Sequence, residues 1–367
     1  MGDPLVKRIE IGFRRWLVRV LRFLFTRPRR PVENIDFNRS KFLFVRQDMI
    51  GDVLVSTPLL AALHDRYPGA RIDALLSNKN HFVLERDPAV TKRWVYKKNL
   101  SSAVSILRNI RRERYDFIID LMDNPSATST VVCLLAGARW NVGIEKENDY
   151  AYDIVVPMLS RRDTHIIDRI AQLLTPFRIS PSDHIFAIRY VTSPDSDRFA
   201  EGFIKTKLPS GRPIVGLNIS AGSEVRYWGT RNFSDFISWV TSSHPECIIL
   251  ILHKPSDRDK AQAIHDLAPS AVVSPDTTSF DQFAALIRRL AMLLTPDTSA
   301  VHLASAFNVP VVVLYVQSDK SLRIWEPYGT EYEILVTEKD DLSTIPASDV
   351  TTAFERLYER TRISGKS

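Results

Sequence analysis

The feature that most constrains this chain is an alternation of short apolar segments with longer segments of helical spacing, and it occurs twice. In the first set, Lys41 to Arg46, Arg71 to Leu76, Arg93 to Val95 and Phe117 to Leu121 predict strands. Val53 to Tyr67 and Ser101 to Arg112 predict helices between them, the former in two pieces because Pro58 would kink it. In the second set, Pro213 to Asn218, Cys247 to Leu252, Ala291 to Leu294 and Val309 to Leu314 predict strands. Helices are expected over Phe233 to Ser243, Lys260 to Leu267, Phe280 to Arg288 and Thr298 to Phe307. Strands that alternate with helices in this way run parallel, with helices on both faces. The expected fold class is α/β, with two doubly wound domains facing across a cleft, residues 40–192 and 213–345. A polar linker over 193–212 holds Pro194, Pro209 and Gly211, and a C-terminal helix and tail occupy 346–367.

Charge is concentrated at one end. Residues 1–31 carry nine basic and two acidic side chains, a net +7, whereas the whole chain carries +6, leaving −1 for the body. A nucleic-acid-binding protein spreads its basic charge over a folded face, so no nucleic-acid partner is expected. Ile9, Phe13, Trp16, Leu17, Val20 and Leu24 recur at helical spacing, with Arg8, Arg15, Arg19 and Arg22 opposite and Arg14 at the flank. Such an N-terminal amphipathic helix suits an anionic membrane surface; docking on the body or on a partner is the alternative. Arginines interrupt its apolar face and no small-residue cleavage site follows, unlike a signal peptide. Thr26 to Pro31 reads as a basic, proline-punctuated linker that completes a membrane-surface arm over 1–31. No apolar run approaches the roughly 20 residues that span a bilayer. Cys133 and Cys247 show neither metal-ligand spacing nor a disulfide framework, so a reducing compartment is expected.

In doubly wound sheets, ligands meet the carboxyl ends of strands near helix N-termini. Three turns answer to that rule. The first runs Val45-Arg46-Gln47-Asp48-Met49-Ile50-Gly51-Asp52-Val53. Gly51 allows close backbone approach. Asp52 is either a carboxylate able to take a proton from an acceptor hydroxyl or a helix cap. The second turn is Pro296-Asp297-Thr298-Ser299-Ala300-Val301-His302. Backbone N–H groups at such a helix start favour phosphate, and the Thr298 and Ser299 hydroxyls add donors. Asp297 would repel phosphate, which leaves it capping the helix or accepting bonds from sugar hydroxyls. His302 is either a packing residue or a pocket residue. The third turn, Asn218 to Trp228, holds Ser220 and Arg226, the latter a bidentate phosphate clamp or an exposed loop residue. The triplets Asp195-Ser196-Asp197 and Asp257-Arg258-Asp259 lie in polar stretches, and no metal or other cofactor is expected.

Taken in order, these segments resemble glycosyltransferase family 9, the lipopolysaccharide heptosyltransferases. The likeness rests on Gly51-Asp52-Val53-Leu54 with Pro58 after it, on Tyr67-Pro68-Gly69-Ala70-Arg71, and on Tyr115 to Leu121. It continues with Gly137-Ala138-Arg139 through Gly143, Arg226-Tyr227-Trp228, and Asp297 through Ala304 with Pro310. The resemblance implies a GT-B fold of two Rossmann-like domains. It implies inverting, metal-independent transfer from ADP-heptose to a lipid-linked core saccharide at the cytoplasmic face of the membrane. Asp52 is implied as general base. Arg226 and the amides near Thr298 and Ser299 are implied to hold the diphosphate, Asp297 to contact the donor sugar, and His302 to shape the pocket. Gly51 and Ser220 join the donor-binding set. Ser299 stands where the family usually has glycine, Arg226 where it has lysine, and Met122-Asp123 where it often has Gln-Gly. His253-Lys254-Pro255 replaces a glycine-rich turn. Two other readings remain open: a GT-B enzyme using another nucleotide sugar for capsule, O-antigen or glycan synthesis, and a catalytically degenerate, membrane-associated nucleotide-sugar-binding protein.

Overall fold

The computed structural model describes residues 22, 23, 25–97, 99–317, 319 and 321–364. The chain divides into two units, the first ending at Phe186 and the second beginning at Ala187.

In unit 1, β1 (Lys41–Val45) leads into α1 (Ile50–Leu54) and α2 (Thr57–Arg66). The expected helix is thus two pieces, and Pro58 lies in the first turn of α2, where a missing N–H breaks no bond. Then follow β2 (Arg71–Ser77), β3 (Lys92–Tyr96), α3 (Leu100–Glu113), β4 (Phe117–Asp120), α4 (Ala127–Leu135), β5 (Trp140–Ile144), β6 (Ile154–Val156) and α5 (Ile166–Ala171). The Asn99 side chain caps α3 by accepting from Ser102 N–H. The sheet order is β3-β2-β1-β4-β5-β6, with every pair parallel. On one side of this unit the Phe42, Phe117 and Phe177 rings pack with centroids 5.0–5.3 Å apart.

Unit 2 opens with α6 (Pro194–Lys207). This stretch, expected to be linker, is helix because Ser193 caps it by accepting from Ser196 N–H and Pro194 occupies its first position. A proline there starts a helix rather than breaking one. Next come β7 (Ile214–Asn218), α7 (Thr230–Ser243), β8 (Ile248–Leu252), α8 (Arg258–Leu267), β9 (Val272–Val273), α9 (Phe280–Ile287) and β10 (Met292–Pro296). The unit closes with α10 (Ser299–Ala306), β11 (Val311–Val316), β12 (Tyr332–Thr337) and α11 (Ala347–Ser364). The order is β12-β11-β10-β7-β8-β9, again all parallel. Strands such as β8, Ile-Ile-Leu-Ile-Leu, are buried at every position, as a sheet covered on both faces requires. Trp228 is fully buried in this core, and its indole N–H donates to the Ile345 carbonyl. Truncating a core aromatic of this size to alanine typically costs about 3–5 kcal/mol.

The expected amphipathic helix falls on residues 1–24, of which only Arg22 and Phe23 are among those described. The stretch that follows, expected as a linker, is laid against unit 1. Arg27 Nε and Arg30 Nε reach the two carboxylate oxygens of Asp153 at 2.7 and 2.9 Å. Arg29 pairs with Asp149 at 3.1 Å, and the Arg27 and Arg30 backbone N–H groups donate to Tyr150 and Asp153 carbonyls. The Asp153 side chain has no exposure, and a buried carboxylate needs such partners.

Both sheets share one topological property. In unit 1 the chain winds outward from β1 in one direction and from β4 in the other, so the order reverses between these two strands. In unit 2 it reverses between β7 and β10. A crevice opens at the carboxyl ends of strands at such a switch point.

Candidate functional site

At the unit 1 switch point, two turns meet. The turn after β1 carries Arg46, Gln47, Asp48 and, in α1, Gly51 and Asp52. The turn after β4 carries Asp120 and Asp123. Arg46 ties the turns together. Its guanidinium is 2% exposed. It donates to the Leu121 carbonyl, to the Asp52 carbonyl at 3.0 Å and to Asp52 Oδ1 at 3.2 Å. Asp48 Oδ1 lies 3.4 Å from Arg46 Nε. Asp52 is the third residue of α1, and its Oδ2 accepts from Met49 N–H at 2.8 Å. The carboxylate therefore caps the helix, one of its two sequence readings. It uses two of its roughly four acceptor positions, so capping leaves room for a further bond. Gly51 precedes it inside the first turn and needs no left-handed backbone. Burial pushes the Asp48 carboxyl up to about 6 against the pull of Arg46, and the charges of Asp52 and Asp120 add to the rise.

Asp120 ends β4 and is fully buried. It accepts from Tyr152 Oη at 2.6 Å and Ser129 Oγ at 2.9 Å, and it pairs with Lys146 at 3.3 Å. The Tyr152 ring in turn fills the space over Gly143, where an added Cβ would come within 2.3 Å of it. Beyond Asp120, Asp123 pairs with Arg169 of α5 at 3.4 Å and with Arg161 at 3.7 Å. Motif spacing pointed to neither arginine.

At the unit 2 switch point, the turns after β7 and β10 converge. Asn218 Nδ2 donates to Thr295 Oγ1 at 2.9 Å and to Thr298 Oγ1 and the Ser220 carbonyl at 3.3 Å. Thr298, not Asp297, is the N-cap of α10, its side chain accepting from Ala300 N–H at 3.2 Å. Ser299 is then the first helical residue. Asp297 is held from the third turn, where Arg226 lies 3.5 Å from its carboxylate and donates to its carbonyl at 3.2 Å. Burial raises the Asp297 pKa, and Arg226 opposes the rise. Trp228 anchors the short turn of helix that presents Arg226. Ser220 Oγ donates to Asp257 Oδ2 at 2.8 Å and accepts from Lys254 N–H at 2.9 Å. Lys254 Nζ pairs with Asp257 at 3.5 Å. His302 is buried one turn into α10, its ring centroid 6.4 Å from that of Trp325.

The fold thus gathers Ser220, Arg226, Asp297, Thr298 and Ser299 at one switch point and places Gly51 and Asp52 at the other. Asn218, which opens the third turn, joins the unit 2 group with Lys254 and Asp257, though none of the three is in the expected donor-binding set. Positive charge and free amides at α10 suit a diphosphate. Three of the four carboxylates of the Asp-x-Asp triplets are otherwise engaged. Asp197 faces Arg288 and Arg289, Asp195 pairs with Arg198, and Asp257 is bound to Ser220 and Lys254. Among the described residues, no group of three or more His, Cys, Asp or Glu is placed to hold a metal ion. No helix among them is long and apolar enough to cross a membrane.

A model of glycosyltransferase family 9 (heptosyltransferase) matches residues 103–350. Lipopolysaccharide heptosyltransferase 3 of Escherichia coli K12 is 24% identical over 341 residues, covering 84% of this chain and 95% of the relative. Among solved structures, a family 9 glycosyl transferase from Veillonella parvula superposes with a TM-score of 0.76 at 19% identity, over 88% of this chain and 98% of the other. An E. coli heptosyltransferase solved with ADP-2-deoxy-2-fluoro heptose gives 0.69 at 16% identity, over 86% and 99%. At such identities the structural likeness establishes the GT-B fold.

Proposed function

We propose a reaction for this chain on the premise that it belongs to glycosyltransferase family 9 and is a glycosyltransferase: inverting, metal-independent transfer of heptose from ADP-heptose to a lipid-linked core saccharide. The observation that carries this reading is the placement of its candidate residues, each set at the switch point of its own sheet. The solved relative that holds an ADP-heptose analogue has the same fold.

In this reading unit 2 takes the donor. The α10 amides and the Thr298 and Ser299 hydroxyls receive the diphosphate, with Arg226 and Lys254 supplying positive charge. Asp297, steadied by Arg226, accepts from sugar hydroxyls. Ser220 lines the same turn and His302 backs it. Unit 1 takes the acceptor. Asp52, held by Arg46 and the Met49 N–H, accepts the proton of the acceptor hydroxyl. The hydroxyl oxygen bonds to the anomeric carbon as the bond from that carbon to the phosphate oxygen breaks. ADP departs with the electron pair, and the configuration inverts.

The test is incubation of the full chain with ADP-heptose and core glycolipid. ADP release should match a mass gain of one heptose on the lipid. Turnover with a UDP- or GDP-sugar alone would transfer the reading to another saccharide, and bound ADP without turnover would make the chain a binding protein. We also assign the N-terminal arm to the anionic cytoplasmic face of the membrane. Arg27, Arg29 and Arg30 are engaged by unit 1, so this contact falls to the six basic residues from Lys7 to Arg22. Deleting residues 1–24 should reduce sedimentation with phosphatidylglycerol vesicles, and unchanged sedimentation would refute the assignment.

A further inference from the structure

Among the described residues the two parallel sheets end in four edge strands, β3, β6, β9 and β12, and these are not equally protected. An unpaired edge offers its N–H and C=O groups to any other strand, so proteins shorten it, charge it or cover it. Strand β9 has two residues and β6 three. Strand β3 opens with Lys92 and Arg93. Strand β12 has six residues, Tyr-Glu-Ile-Leu-Val-Thr, and no proline. Its Ile334 and Val336 point to the same face and are 36% and 42% exposed. The main chain beside them is open as well. The Glu331 and Thr337 carbonyls accept from Val311 N–H and Gln317 N–H, at the two ends of β11. Odd-numbered residues of β12 therefore bond inward, and Tyr332, Ile334 and Val336 turn their main-chain groups outward. Arg360 of α11 donates to the Tyr332 carbonyl at 2.9 Å. Among the described residues, no hydrogen bond reaches the outward groups of Ile334 or Val336.

We propose that β12 is a self-complementary dimer edge, pairing antiparallel with β12 of a second copy of this chain about a twofold axis at Leu335. The open groups set the register. Ile334 of each copy faces Val336 of the other, and each such pair exchanges both of its N–H···O bonds. The same register joins the two exposed β-branched side chains across the contact, once on each side of the axis. Leu335 meets its own copy on the axis, beside an open groove of about 650 Å³ lined by Leu335, Pro346, Asp349 and Arg356. Glu331 and Lys339 are both exposed and lie equally far from Leu335 in sequence, so opposite charges meet at both ends of the contact. The contact also closes on itself. Pairing uses up both β12 edges, and β9 at the far side of the sheet is too short to extend the array, so assembly stops at two. Strand β11 separates this edge from β10, so each copy keeps its own turns after β7 and β10. The inference is independent of the reaction proposed above.

The experiment is analytical ultracentrifugation of the full chain over a concentration series. The mass should rise toward that of two chains and no further. Val336→Pro removes an outward N–H that β11 does not use, so the sheet keeps its ladder while the pairing loses a donor on each side of the axis. This variant should stay monomeric. Ile334→Lys should weaken the dimer about tenfold, because the axis repeats the change, and it decides the matter if circular dichroism shows the proline variant unfolded. Lys339→Glu should weaken the dimer too, by placing like charges at both ends. Register is read by oxidative cross-linking. Leu335→Cys should form a disulfide with its own copy, whereas Ile334→Cys, set diagonally from its copy, is out of reach and should not. The proposal is overturned if the chain is monomeric at every concentration or if its mass grows past two chains. It is overturned equally if Ile334→Lys dimerises as the parent does, or if Leu335→Cys fails to cross-link.

Discussion

The two switch points are built from the same topology and stocked with different chemistry. In unit 1 the crevice is walled by charge. Arg46, Asp48, Asp52, Asp120, Asp123, Lys146 and Arg169 are all partly or fully buried there, and several of their polar atoms lack partners. In unit 2 hydroxyls, an amide side chain and the start of α10 stand beside the ion pairs Arg226–Asp297 and Lys254–Asp257, and most of these groups already bond to one another. A preformed set of hydroxyl and amide donors with paired charges suits a ligand whose charge is constant, such as a diphosphate. A crowded set of ionisable groups suits a step in which a proton moves. The difference is the one the proposed reaction needs, with proton transfer in unit 1 and diphosphate binding in unit 2.

The strongest way to break that division is Asp52→Ala. Loss of a general base should lower the transfer rate on the order of 10³-fold while ADP affinity, measured by titration, stays at the parent value. A parallel loss of ADP binding would mean that the two sheets do not divide the work. Next in size is Arg226→Ala. Removing a charged donor from the diphosphate should weaken ADP binding about 10- to 100-fold, with the melting temperature held, because Trp228 rather than Arg226 anchors that segment.

Asp48→Asn sharpens the comparison from the stability side. The Asp48 carboxyl titrates near 6 in the folded chain, above the ordinary 3.8. The folded state therefore binds this proton more tightly than the unfolded state does. Stability from this group is fully present below pH 4 and is lost as pH rises from about 4 through 6. Above that window the charged carboxylate is a burden of about 1–3 kcal/mol. The amide should thus raise the melting temperature at pH 7 and give no gain at pH 4. Equal gains at both values would show that the effect is packing and not charge.

Much of this was legible in the sequence where the signal is local. The turns after β1 and β10 are strand–turn–helix segments whose residues are neighbours in the chain, so Asp52, Asp297 and Thr298 could be read directly. Arg169, Lys254 and Asp257 reach the switch points through sheet order, which spacing does not encode. Strand β5 is not among the expected strands, and it holds Asn141 and Gly143, residue types common in turns. The fold uses both inside the sheet. Asn141 Nδ2 bonds the Cys133 and Ala151 carbonyls, and Gly143 makes room for the Tyr152 ring. The stretch over 193–212 is expected as linker from its polar character and its Pro194, Pro209 and Gly211, yet Pro194 stands at the start of α6. The basic Thr26–Pro31 stretch is expected as a linker, and nothing local marks its docking because its partner, Asp153, lies more than 120 residues away.

The smallest effect is expected at the residue where the sequence departs most visibly from its family. Ser299 occupies the position usually given to glycine. Glycine would be obligatory there if the backbone were left-handed or if a Cβ met the ligand. Ser299 is not among the residues with positive φ, and it sits as the first residue of α10. Side chains on a helix lean toward its N-terminus, so its hydroxyl is expected to add a donor at that end of α10. Ser299→Gly removes that donor and frees the backbone of the first turn, two modest losses of the same sign. ADP affinity should fall by no more than about threefold, the worth of one neutral hydrogen bond at its lower end. A gain in affinity would show that the side chain crowds the phosphate, and unit 2 would then be a donor site compromised at its centre.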